Sequence, residues 1–259
     1  MWYSRRTQLD IAREQRRSDA KVILDRYRGP LLDAAWELGD RIDNLRHRRF
    51  LYFLEEGNPR QQDARLSTLY RFANYFGWRE QVRVQVQLLR FENEEDTRLV
   101  ASFLGDVTRI LATDSLDGGR AMLWAEEQRG IGELMAREHE GGSTVRGHAG
   151  FWEEYEKVFG PWMDSFGNDL LSTKGVTGER LRLLGGAIFG LVICLDEEEA
   201  FPRTGWISRA SAEFDGLVDL PEPEGTKTAD SPEKSLGEHL MTLKTRLATH
   251  RMANKRSRR

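Results

Sequence analysis

Residues 81–88 read QVRVQVQL, and whether they form a strand or part of a helix decides the fold class. As a strand, Val82, Val84, Val86 and Leu88 share one face while Gln81, Arg83, Gln85 and Gln87 share the other, the alternation of a half-buried strand. As a helix the same stretch makes two opposed apolar stripes, Val82/Val86/Leu89 and Val84/Leu88/Phe91, which suits a central helix packed on both sides. No partner strand is evident elsewhere, so the helical reading is preferred.

The flanking text supports it. In PLLDAAWELGDRIDNLRHRRFLYFLEE (30–56), Leu31, Ala34, Ala35, Leu38, Ile42 and Leu45 fall at helical spacing, with Gly29-Pro30 as punctuation before and Gly57-Asn58-Pro59 as a stop. Leu69, Phe72, Ala73 and Phe76 form the next apolar face. Leu99, Phe103, Val107, Ile110 and Leu111 form a third, and RAMLWAEEQRGIGELMAREHE (120–140) carries Leu123, Trp124, Ile131, Leu134 and Met135 on a fourth. Pro161 should kink or break the segment 151–166.

The longest apolar run, Leu183–Leu195, has 13 residues and would span about 20 Å as a helix against roughly 30 Å for a bilayer core. Its Gly186 and Gly190 sit at the small-xxx-small spacing that lets helices approach closely. A buried bundle helix is the expectation. The sum is an all-α multi-helix bundle with a polar N-terminal helix and a tethered C-terminal amphipathic helix. Its parts are a polar connector at 1–28, the bundle at 29–219, a Pro-rich disordered linker at 220–235, and an amphipathic helix with a basic, disordered tail at 236–259. In the last part Leu236, Leu240, Leu243 and Leu247 step by four, three and four, a narrow coiled-coil-like seam, and Ser235-x-x-Glu238 offers a capping box at its start.

Charge is distributed unevenly. The chain holds 39 Lys/Arg and 42 Asp/Glu; residues 1–28 take eight and four of these, and residues 244–259 take seven and none, leaving 24 and 38 in between. Two basic ends on an acidic body speak against a broad nucleic-acid-binding face. The single cysteine, Cys194, excludes an intramolecular disulfide and a cysteine-clustered zinc site, fits a cytoplasmic protein, and reads as an inert core thiol.

Motifs for chemistry are absent: no H-E-x-x-H, no E-x-x-H pair, no phosphate-cradling glycine loop and no G-x-S-x-G. The five histidines are His47, His139, His148, His239 and His250. The nearest approach to a ligand cluster, Glu138, His139, Glu140 and His148, lies on a glycine-rich stretch and reads as a solvated turn. No catalytic, cofactor or metal residue is assigned and no cofactor is implied. AEEQRGIGELM (125–135) is the hardest segment to treat as filler, because Gly130 and Gly132 each cost a helix up to about 1 kcal/mol relative to alanine. Either Glu126, Glu127, Gln128, Arg129 and Glu133 line a polar pocket, or Arg129 and Glu133 form a surface pair while Gly130 admits a neighbouring aromatic. The second reading is preferred. The acidic runs ENEED (92–96) and DEEE (196–199) read as solvated.

YRGPLLDAAWELGDRI (27–42), STLYRFANYFGW (67–78) and EEQRGIGELM (126–135) together resemble a group of uncharacterised bacterial proteins, common in actinobacteria, over about residues 26–136. The resemblance implies a bacterial helical domain and no known activity. Members of that group often carry a hydrophobic segment ahead of the first motif; none precedes Tyr27 here.

Two functional readings remain. One is a helical interaction or scaffold protein without an active site, using Leu236, Leu240, Leu243 and Leu247 for a protein partner, for self-association or for docking on the body. The other is a membrane-associated accessory protein with an N-terminal stalk. In it Trp2 and Tyr3 lie at headgroup level, Arg5, Arg6, Arg16 and Arg17 face anionic lipid, and Met1–Arg6 also fit the flank of a spanning segment further upstream. An enzyme with its pocket near Arg129 ranks third.

Overall fold

The structure is a computed structural model and describes residues 26–47, 50–87, 95–139, 142–172, 178–196, 199–203, 205–218 and 231–257. The expected polar helix before residue 26, and most of the expected linker, lie outside these residues. The described chain is all-α apart from one small hairpin.

The first helix, α1 (26–47), already includes Gly29 and Pro30, so that pair lies within helical residues instead of ahead of them. Tyr27 belongs to the core, and its ring lies 6.5 Å from Trp78. A 3-10 turn at Phe50–Leu54 follows, and Gly57 at φ 83° makes the turn into α2. That φ lies in the left-handed region, open to glycine without steric cost.

Helix α2 (Gln61–Gln87) runs about 40 Å through Gly77 and takes residues 81–87 with it, which answers the opening question. Leu69, Phe72, Ala73 and Phe76 are buried as expected. Packing on both sides does not extend to Val84, which is 43% exposed although Val82 is buried. Leu88, Leu89 and Phe91 lie outside the described residues.

Helix α3 (Glu95–Ala112) buries all five of its expected core residues. Helix α4 (Ala125–Met135) is shorter than the 120–140 segment suggested. The residues after it form a hairpin, β1 (Ala136–His139) with β2 (Gly142–Val145), in antiparallel register Glu138↔Ser143. Val145 fills the space a side chain at Gly77 would need: an added Cβ would stand 2.7 Å from Val145 Cγ1. The hairpin therefore lies on α2.

Pro161 neither breaks nor ends its helix. Helix α5 (His148–Glu154) passes through a π turn at Tyr155–Phe159 straight into α6 (Gly160–Leu170), with Gly160 N–H donating to Tyr155 O. The widened turn absorbs the bond a proline cannot make.

Helix α7 (Glu179–Leu195) is buried nearly all round and packs on α3. Asp117 caps it, accepting from Glu179 N–H at 2.9 Å and Arg180 N–H at 3.0 Å. Gly178 makes room, since a Cβ there would stand 2.8 Å from Asp117 Cγ. The run Leu183–Leu195 is thus a bundle helix, and no helix among the described residues is long and apolar enough to cross a membrane.

Asp196, expected in a solvated acidic run, is buried instead. It accepts from Ala200 N–H at 2.8 Å and pairs with Arg203 at 3.1 Å, organising the turn toward α8 (Trp206–Val218). Helix α8 packs on α7 and α1; Trp206 fills the space over Gly39, where a Cβ would lie 2.6 Å from Cζ2.

Helix α9 (Pro232–Ser257) starts earlier and ends later than the sequence suggested. Ser231 Oγ accepts from Lys234 N–H at 3.3 Å and Pro232 occupies the first turn, so the cap is Ser231, not Ser235. The tail read as disordered is helical to Ser257.

Candidate functional site

The seam of α9 faces inward. Leu236, Leu240 and Leu243 are buried, the last at 2% exposure, against α3, α7 and α8. Leu247, one helical step further along the same face, is 40% exposed. Burial of the seam therefore falls off between Leu243 and Leu247 while the helix continues.

A polar clamp holds the buried half. Asp106, on the α3 stripe between Phe103 and Ile110, is fully buried. Its Oδ2 lies 2.6 Å from His239 Nδ1, and beside a carboxylate that nitrogen carries the proton. Its Oδ1 accepts from Ser235 Oγ at 3.0 Å and also pairs with Arg109, which reaches Ser235 Oγ at 2.6 Å. Ser235 and His239 are four residues apart, so one face of α9 meets one carboxylate twice. Arg182 on α7 adds a contact at 3.4 Å to Glu233 in the first turn of α9.

This clamp was invisible as a motif, because its halves are separated by about 130 residues. One trace was legible: Asp106 breaks an otherwise apolar stripe at i+3 from Phe103 and i−4 from Ile110. A charge on a buried face implies a partner from elsewhere in the chain.

Breaking the clamp should loosen α9 selectively. In Asp106→Ala, three polar groups lose a shared acceptor, at roughly 2–3 kcal/mol. Hydrogen exchange should rise across α9 while α2 and α4 keep their protection. Equal protection of α9 in variant and parent would show that the leucines alone dock it.

The segment around Arg129 assembles differently from a pocket. Glu126, Arg129 and Glu133 are exposed and do not converge on a cavity. Gln128, fully buried, donates to Leu123 O at 2.8 Å and Thr108 O at 3.1 Å and accepts from Arg79 at 2.8 Å, bracing α4 to α3 and α2. Glu127 accepts from Trp124 N–H at 2.8 Å, closing the first turn. Gly130 admits the Trp162 ring, 2.9 Å from a would-be Cβ, as the preferred reading held. Gly132 lets α4 reach the α2 backbone, with Phe76 O 2.7 Å from the same point. Arg129 and Glu133, however, form no ion pair. Trp124 is not part of the inward face; it is 57% exposed.

The histidines are dispersed. His47 lies 3.3 Å from Asp43, and His148 stacks edge-on to Tyr70 with centroids 5.0 Å apart. Glu138 is exposed on β1, while Glu140 and the side chains of His139 and His250 lie outside the described set. Among the described residues no group of three or more His, Cys, Asp or Glu side chains is placed to hold a metal ion. Cys194 is buried.

The concavities among the described residues include a slot and a groove. A slot of about 20 Å³ between α1, α7 and α8, floored by Ile42, Gly185 and Phe214, has room for one water. Its rim is closed by paired charges. Arg46 donates twice to Glu213, at 2.8 and 2.7 Å, and Arg209 to Asp43 at 2.8 Å. Those bonds from Arg46 hold the Glu213 carboxyl below the usual carboxylate range, so this tie between α1 and α8 is present at neutral pH and is lost only as pH falls through that lowered value. An open groove of about 330 Å³ lies between α2 and α6, beside Leu54, Gln61, Arg65, Asn168 and Leu171.

Compared with protein-family models, curated proteins and solved structures, the chain matches none of them.

Proposed function

We propose that the chain is a helical interaction protein that receives a protein partner at the outer half of α9. The observation that carries this reading is the seam that is buried through Leu243, exposed at Leu247, and continued by helix to Ser257. The clamp fixes the register of α9 on α3. Met241, 49% exposed, adds apolar surface on the solvent side. Exposed apolar residues on a helix suit an apolar groove on a protein partner.

A photo-crosslinking residue placed at 247 in the full-length chain, in the cell of origin, tests this. One discrete adduct is expected at 247 and none at position 240, and Leu247→Glu should abolish binding of the protein so captured without changing the melting temperature. Equal labelling at 247 and at the exposed, unrelated Tyr52 would refute the site.

The membrane reading is supported by the sequence Trp2-Tyr3-Ser4-Arg5-Arg6 and by the positive charge of residues 1–28. Flotation of the full chain with vesicles containing anionic lipid tests it. Equal recovery with neutral vesicles or at high salt would remove the electrostatic basis.

A further inference from the structure

Arg41 is a buried cation two of whose nitrogens make no hydrogen bond. The residue is 8% exposed, and its Nε and Nη1 are buried with no hydrogen-bond partner. The Phe50 ring covers the guanidinium face, with Cζ 3.9 Å from the ring centroid. A ring on the face leaves the in-plane N–H groups aimed outward at the guanidinium edge, where a planar or tetrahedral oxyanion binds. Asp40, next to Arg41 in sequence, accepts from Asn44 at 2.9 Å and does not hydrogen-bond Arg41.

A second guanidinium from α2 adds to the problem. Arg71 Nε is likewise buried without a partner, and its Nη1 reaches only Ser67 O, at 3.4 Å. Burial and the nearby Arg71 charge bring the Arg41 guanidinium down to about 10, against the opposing pull of the Asp40 carboxylate. Buried donors are almost always satisfied, and a buried charge more so. Two neighbouring cations with orphaned N–H groups break both expectations at one place in the fold.

We propose that Arg41 and Arg71 form a binding site for a small oxyanion, a phosphate or a group of the same geometry, seated at the edge of the two guanidiniums between α1 and α2. The anion supplies the acceptors the chain does not and removes the repulsion between the two arginines. Arginine, not lysine, stands at both positions, as fork-shaped recognition of an oxyanion requires. The site lies on α1 and α2, whereas the proposed partner surface lies on α9, so the two stand or fall separately.

Thermal unfolding of the full chain, with inorganic phosphate against chloride at matched ionic strength, tests the site. For an affinity near 1 mM, 10 mM phosphate should raise the melting temperature by about 3 °C, saturably. Arg71→Met should lose that rise. Arg41→Met should also lose it, and in phosphate-free buffer should melt above the parent, because a buried cation with unsatisfied N–H groups has been replaced by an apolar chain of similar length. Equal melting in phosphate and chloride would overturn the proposal, and so would a phosphate response that persists in Arg71→Met. An Arg65→Met control, whose arginine already pairs with Asp164 at 3.1 Å, should keep the full response.

Discussion

Arg180→Met is expected to lower stability by about 3–5 kcal/mol, a large fraction of the roughly 5–15 kcal/mol that holds a domain together. Arg180 is 1% exposed, and its guanidinium donates to five main-chain carbonyls. Nη1 reaches Ile110 O and, at 3.3 Å, Leu111 O; Nη2 reaches Thr113 O at 2.8 Å and Leu116 O at 3.0 Å; Nε reaches Arg120 O at 2.9 Å. The first of these are the last carbonyls of α3, which have no partner within their own helix. A cation there also meets the negative end of the α3 dipole. Methionine keeps the length and removes every donor, so several buried acceptors lose their partners together. Lysine should restore only part, since one point charge cannot serve five acceptors spread over a turn. Urea unfolding measures the loss. A change below about 1 kcal/mol would show that water can replace the guanidinium.

Gly190→Ala should cost about 2 kcal/mol net, although alanine is worth up to about 1 kcal/mol more than glycine inside a helix. Phe103 Cδ1 would lie 2.8 Å from the added Cβ, with two further ring carbons closer still. The ring is fully buried and cannot swing away. Adding Phe103→Leu to Gly190→Ala should therefore recover part of the loss, a coupling that separate measurement of the two single variants would expose. Simple additivity of the pair would mean that the two helices adjust by sliding.

The fold was legible where apolar spacing was strong. The stripe of α3 and the aromatic face of α2 were both readable from a 3.6-residue period, and the buried character of α7 followed from its composition. What could not be read depends on distant partners. The hairpin at 136–145 escaped because its strands are four residues each and gain stability by lying on α2, not from their own alternation. Pro161 suggested a kink or a break because sequence cannot show that a π turn will take up the missing bond. The cap of α9 was misplaced by four residues because Ser235 satisfies the local capping pattern but is drawn away to Asp106. Around Arg129, Gly130 was readable as room for an aromatic, whereas the expected Arg129–Glu133 pair does not form, and the neighbours themselves, Trp162 at Gly130 and the α2 backbone at Gly132, lay outside the segment.

The clamp on α9 also has a consequence in time. A chain is made from its N-terminus, at about 5–20 residues per second, so Ser257 follows Leu195 by roughly 3–12 s. During that interval α3 and α7 are complete, yet the surface that Leu236, Leu240 and Leu243 will cover is open to water. Asp106 then has only Arg109, from its own helix, to answer its charge. An ionised carboxylate on an uncovered apolar face keeps that face wet and disfavours its contact with other unfinished chains. The residue that locks the finished molecule thus guards the unfinished one.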